Sequence, residues 1–104
     1  MPSTKPIPLP AASALRKLGR ELAIARRKRG ISTADMTSRL FVGRPTLWRL
    51  ERGDPTVALG TFATACFVLQ LHDRLANLAA PATDALALSL DEKSLPQRIR
   101  RARP

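Results

Sequence analysis

Apolar residues recur at helical spacing through the first part of the chain. One stripe is formed by Leu15, Leu18, Leu22 and Ala25. Basic residues lie off this stripe and Gly30 follows it, so an amphipathic helix is expected from near Ser13 to Gly30. Prolines at positions 6, 8 and 10 block helix propagation, so residues 1–12 are predicted to form a disordered, Pro-rich leader.

Two short helices are expected next. Ser32 is an N-cap residue with Asp35 three positions later, as in a capping box, and this helix is predicted to end near Leu40. The other helix covers residues 44–52 and is closed by Gly53. Its first turn contains Pro45, where the missing N–H costs little.

A fourth, nearly uncharged helix is predicted from Leu59 to Gln70, and its lack of charge indicates burial in the core. A fifth helical stretch continues to Ala80, before Pro81, along the stripe Leu71, Leu75 and Leu78. The uncharged stretch at residues 55–71 is too short and too polar to span a membrane well.

The residues after Pro81 show a different pattern. Leu86, Leu88 and Leu90 alternate, which predicts a short strand or an extended docking segment. The expected fold is therefore all-α with five helices, flexible termini, a domain at residues 13–80 and an extended C-terminal segment with a basic tail at residues 81–104.

Charge is distributed unevenly along the chain. The 104 residues include 18 Lys plus Arg and 8 Asp plus Glu, a formal net charge of +10. Residues 13–53 contain eleven basic and three acidic residues, whereas residues 54–96 contain two basic and five acidic ones. A basic segment of this kind favours a polyanionic partner, either nucleic acid or an anionic membrane surface, although such residues also serve simply to solubilise helix faces.

Several kinds of chemistry are unsupported by the sequence. One Cys and one His, at Cys66 and His72, exclude a disulfide framework and a Cys or His zinc cluster. His72 is expected to face solvent rather than to act as a ligand or switch. Without a Gly-rich phosphate loop or a nucleophile–base pair, no enzyme activity, catalytic residue, metal or cofactor is expected. The lack of a signal-peptide pattern favours a cytoplasmic protein.

The predicted chain has a basic first helix followed by two short helices that are joined by a three-residue turn. This arrangement is typical of a helix-turn-helix DNA reader. In such a reader the first of the two crosses the phosphate backbone and the second enters the major groove. The segment at residues 31–53 resembles the Xre/Cro-like family of bacterial and phage regulators without a gap. Its most specific part is residues 46–53, Thr-Leu-Trp-Arg-Leu-Glu-Arg-Gly.

The resemblance implies roles for individual residues. Base-reading positions are Arg44, Pro45, Trp48 and Arg49. Phosphate-contacting positions are Ser32, Thr33, Arg39, Gly43, Thr46 and Arg52. Trp48 either stacks on sugar or base edges or packs on a partner subunit. Glu51 is implied to form a structural ion pair with Arg26.

Three positions depart from the family pattern. Phe41 replaces the usual Gly of the turn and is expected to be buried under the first helix. Thr37 replaces a small Ala where the helices approach each other, and Thr33 replaces a Gln, which shortens a donor.

The family implies a homodimer on a palindromic operator in double-stranded DNA. The region after the reader is similar to that of HipB-like antitoxins, which repress their own operon and hold a HipA-like serine/threonine kinase toxin inactive. This resemblance implies an antitoxin in the bacterial cytoplasm, associated with the nucleoid. The alternatives are a free-standing repressor and a basic protein for RNA or membrane surfaces, and the acidic second half argues against the last.

Overall fold

A computed structural model describes the backbone of residues 6–101 and the side chains of residues 6–93. The described chain is helical and contains no strand, which confirms the all-α prediction. The elements are α1 (Leu9–Lys28), α2 (Thr33–Leu40), α3 (Arg44–Glu51), α4 (Leu59–Val68), α5 (His72–Ala76), a 3-10 turn (Pro81–Thr83) and α6 (Ala85–Arg101).

The chain divides into two compact units, with the boundary between His72 and Asp73. The first unit contains α1 to α4 and the hydrophobic core. The second contains most of α5, the 3-10 turn and α6. The boundary lies earlier than the one expected near residue 80.

Helix α1 begins at Leu9, before the expected start near Ser13, so the predicted leader is shorter than residues 1–12. Pro10 lies in the first turn, where backbone N–H groups need no intrahelical partner, and it therefore does not stop the helix. Residues 1–5 and 102–104 lie outside the described residues, and the prediction of flexible termini is not tested there.

The core of the first unit joins α1, α2, α3 and α4. Its buried residues are Leu22, Met36, Leu40, Leu47, Leu50, Ala65 and Leu69. Ser32 is confirmed as the N-cap of α2, because the Asp35 backbone N–H donates to Ser32 Oγ at 3.0 Å. Thr37 is half-buried, and its hydroxyl donates to the Ala34 carbonyl at 2.8 Å, which satisfies the polar group within α2.

The turn between α2 and α3 corrects the prediction for Phe41. Its side chain is 93% exposed and not buried under α1. Its backbone has φ 55°, the left-handed conformation that a glycine adopts without strain. Phe41 therefore keeps the geometry of a glycine turn while its ring projects into solvent.

After residue 68 the expected fourth and fifth helices are separate elements, because Gln70 has φ 61° and α5 starts at His72. Helix α5 ends at Ala76, short of the expected Ala80. The strand or extended segment expected at residues 86–90 is helical and forms part of α6. The Leu71 backbone N–H donates to the Cys66 carbonyl at 2.7 Å, and this bond closes the end of α4.

Candidate nucleic-acid interface

The outer face of α3 is fixed by the residues on its inner face. Leu47 and Leu50 are buried in the core, so the opposite side of this eight-residue helix faces solvent. Arg44, Pro45 and Trp48 are exposed there. The structure thus brings these three predicted base-reading residues to one surface.

The fourth predicted base-reading residue, Arg49, is half-buried at the edge of this surface. One of its Nη2 hydrogens points to Thr46 Oγ1 at 3.3 Å. The hydroxyl oxygen of Thr46, a predicted phosphate-contacting residue, accepts this bond and keeps its O–H as a donor. This bond orients Arg49, and after the hydrogen bonds from Thr56 the charge of Arg49 also helps to lower the pKa of Asp54.

Arg52 lies over the ring of Trp48, with its guanidinium carbon 4.5 Å from the ring centroid. A cation at this distance is attracted to the indole face. The contact joins a predicted phosphate-contacting residue to a predicted base-reading residue on the same exposed face. The attraction favours this arrangement of the two side chains.

The N-terminal ends of α2 and α3 are open to solvent. Ser32 and Thr33 are exposed at the start of α2. Gly43 precedes α3, whose first turn has no side-chain cap. Backbone N–H groups at such ends attract anions. Arg39 is exposed in the last turn of α2.

An ion pair ties α1 to the end of α3. Arg26 Nε donates to Glu51 Oε2 at 2.7 Å, and Arg26 Nη2 donates to Glu51 Oε1 at 3.2 Å. Arg26 Nη1 also donates to the Ile31 carbonyl at 3.0 Å. The implied pairing of Arg26 with Glu51 is therefore present as a bidentate contact, with three donors used.

Two glycines let the backbones of α1 and α3 touch. A Cβ on Gly19 would lie 2.6 Å from the Gly53 nitrogen and 2.8 Å from the Glu51 carbonyl oxygen. A Cβ on Gly53 would collide with the Leu15 carbonyl. Sequence reasoning used Gly53 only as a helix stop and missed Gly19. The available signal was a glycine inside a helix, where it is unfavourable unless a close approach needs it.

The connection between α3 and α4 is held by Asp54. Its Oδ1 accepts from the Thr56 hydroxyl at 2.6 Å and from the Thr56 backbone N–H at 2.8 Å. These two bonds lower the pKa of Asp54 below its ordinary value. This local turn places the chain that follows α3.

Other candidate chemistry is not assembled in the described part of the chain. No group of three or more metal-ligating side chains occurs between residues 6 and 93. Burial raises the pKa of the Cys66 thiol, so the neutral thiol is favoured. His72 is exposed, as expected, with its ring 5.5 Å from that of Phe67. Among the described helices, none is long and apolar enough to cross a membrane.

Comparison with known proteins identifies the reader. The family model described as "Helix-turn-helix domain" matches residues 17–79, which is more than half of the chain. No curated protein and no solved structure gives a match. The matched range contains α2, α3, α4 and most of α1, together with every predicted DNA-contacting residue. The chain belongs to the helix-turn-helix domain family and is a DNA-binding regulator.

Proposed function

We propose that this protein is a sequence-specific transcriptional repressor. The observation that supports it is the outer face of α3, where Arg44 and Arg52 are exposed and neither forms a salt bridge with a described acidic side chain. Guanidinium groups without an acidic partner on a reader helix suit the acceptors of a DNA duplex.

The residues on α3 contact the bases in two ways, by hydrogen bonds and by apolar contact. Arg44, at the N-terminal end, donates two parallel bonds to guanine O6 and N7, and Arg49 donates from the edge of the same face. Pro45 and Trp48 supply apolar contact. Arginine contacts of this type carry about 1–3 kcal/mol of discrimination each.

The residues around α3 position the domain on the phosphate backbone of the DNA. Thr33 and Ser32 present the start of α2 to one phosphate, and Gly43 presents the start of α3 to another. Arg39 and Arg52 neutralise phosphate charge. Thr46 donates its O–H to a phosphate while its oxygen accepts from Arg49.

A homodimer on a palindromic operator completes the proposal, because a single domain offers few phosphate contacts. The exposed apolar side chains Leu59 and Phe67 on α4 provide a surface for the second copy. We place this repressor in the bacterial cytoplasm, at the nucleoid.

The test compares two variants on two duplexes, the cognate operator and a random sequence. Arg44→Ala is expected to weaken binding to the operator about tenfold or more and to the random duplex far less. Thr33→Ala is the matched control, and it should affect both duplexes alike. Equal losses for Arg44→Ala on both duplexes would remove Arg44 from base reading.

A second candidate is the antitoxin of a HipA-like serine/threonine kinase. It is favoured by the second unit, which DNA reading does not require and in which Leu86, Leu88 and Leu90 on α6 are exposed. We expect the tagged chain, purified from its own cells with nuclease in high salt, to retain a stoichiometric kinase. A Leu86→Ser, Leu88→Ser variant should lose it. Recovery of the homodimer alone would favour a free-standing repressor.

A further inference from the structure

The exposed face of α3 carries an apolar pair that its own domain does not use. Pro45 and Trp48 are one helical turn apart, and the Trp48 side chain is 61% exposed. Both lie opposite Leu47 and Leu50, which fill the core. The exposed indole and the exposed proline beside it form an apolar patch that an external group can cover.

One face of the indole already has a neighbour. The Arg52 guanidinium, 4.5 Å from the ring centroid, lies over the Trp48 ring. This contact favours one arrangement of the ring, which lowers the conformational entropy lost on binding. The uncovered part of the indole is left to contact the partner together with the neighbouring Pro45 ring.

The arginines around the Pro45–Trp48 pair indicate which kind of partner covers it. Arg44, Arg49 and Arg52 lie on the same face of the helix. An apolar protein surface would desolvate these guanidinium groups without supplying an acceptor, which is costly. The occupant must therefore be anionic overall and still offer one apolar group.

A DNA major groove meets both conditions at one kind of base. Each base pair presents donors and acceptors there, and thymine alone among the four bases adds a methyl group, on C5. We infer that the Pro45–Trp48 pair reads the 5-methyl group of a thymine in the half-site. This inference rests on the proposed function and names the base that its reader helix selects.

The experiment starts from a duplex enriched by the protein out of a random-sequence pool. Each thymine in turn is replaced by uracil, which removes the methyl group and keeps the hydrogen-bonding edge. We expect affinity to fall about fourfold at one or two positions per half-site, the value for one apolar carbon leaving water. The other thymines should show no effect.

Protein variants connect the methyl group to the pair. Trp48→Ala and Pro45→Ala should bind the thymine and uracil duplexes more nearly alike, and both should fold because neither residue is in the core. Ile24→Ala, an exposed aliphatic position on α1, is the control and should discriminate as the parent does.

The outcomes separate this inference from the proposed function. Enrichment of a sequence with no uracil effect at any position overturns the methyl reading alone. A uracil effect that survives unchanged in both Trp48→Ala and Pro45→Ala also overturns it, because another residue then contacts the methyl group. Failure to enrich any sequence overturns both proposals.

Discussion

Among the described side chains, Arg26 is the only charged one that is buried. Its three guanidinium nitrogens donate to the Glu51 carboxylate and to the Ile31 carbonyl. Its partner Glu51 is the last residue of α3. A buried pair of this kind adds little net stability over apolar residues, yet losing one partner leaves the other charge uncompensated. Arg26 and Glu51 therefore act mainly to fix how the reader helix sits on α1.

Replacing Glu51 by Ala should destabilise the domain by about 2–3 kcal/mol, because Arg26 remains buried without its carboxylate. In thermal unfolding followed by circular dichroism, Tm should fall by about 10 °C or more. The control is Glu21→Ala, which breaks the exposed Lys17–Glu21 pair, 2.8 Å long, and should change stability by at most about 0.5 kcal/mol. An unchanged Tm for Glu51→Ala would show that the pair is dispensable.

Phe41 offers a second residue-level prediction. Phe41→Gly should stabilise the protein by about 0.5–1 kcal/mol, because a left-handed backbone is costly for a side chain and free for glycine. Little packing is lost, since the ring is almost fully exposed. Denaturant titration measures the change.

Gly30→Ala provides the reverse control. Gly30 has φ +68°, and a Cβ added there would meet nothing within 4 Å, so only backbone strain opposes the alanine. That variant should lose about 1 kcal/mol. A destabilised Phe41→Gly would mean that the ring has a folded-state contact after all.

At the level of elements, the contact between α1 and the end of α3 depends on two glycines, which have no side chain to separate the backbones. Gly19 and Gly53 allow backbone against backbone, and the Arg26–Glu51 pair closes the same junction. Ridge-and-groove packing of ordinary side chains would hold the two helices farther apart. The orientation of the reader helix is thus set by glycines as much as by leucines.

Gly19→Ala should destabilise the protein by about 1–3 kcal/mol, since its Cβ meets backbone atoms that cannot rotate away. Gly60→Ala is the matched control, because it lies in α4 with nothing within 4 Å and should be neutral or slightly stabilising. Stability is measured by urea titration of both variants. Equal stability of the two variants would contradict the close approach.

The sequence predicted the elements with clear periodicity and clear caps. Ser32 marked the start of α2 and Gly53 the end of α3. The first stripe correctly placed Leu22 in the core, whereas Leu78 of the last stripe is 81% exposed. The left-handed backbone of Gln70, which separates α4 from α5, was not predicted, because no Gly or Pro marks it. Helix α6 was missed because alternating leucines at positions 86–90 imitate a strand. The outward ring of Phe41 was missed because a large apolar residue is expected inside.

At the level of the whole molecule, the formal net charge of +10 is concentrated where the reader lies. A duplex that meets this surface releases its condensed counterions when phosphates are neutralised. Affinity should therefore depend steeply on salt for any sequence, while discrimination between sequences depends on α3.

A dimer that neutralises about six to ten phosphates should show a slope of about −5 to −9 in log affinity against log salt concentration. The slope is measured by fluorescence anisotropy of a labelled duplex. The salt concentration is varied from about 50 to about 200 mM, the range over which this effect is large. Arg39→Ala should reduce the slope in magnitude by about one per subunit. A flat response would contradict an electrostatic interface.

Trp48 also has an optical consequence. The chain has one Trp and no Tyr, so its tryptophan emission comes from α3 alone and no tyrosine emission overlaps it. Because the indole is already largely exposed, unfolding should alter its emission little, whereas a duplex that covers the ring should quench or shift it. The protein thus carries an unlabelled reporter of occupancy at the surface where a base would be recognised.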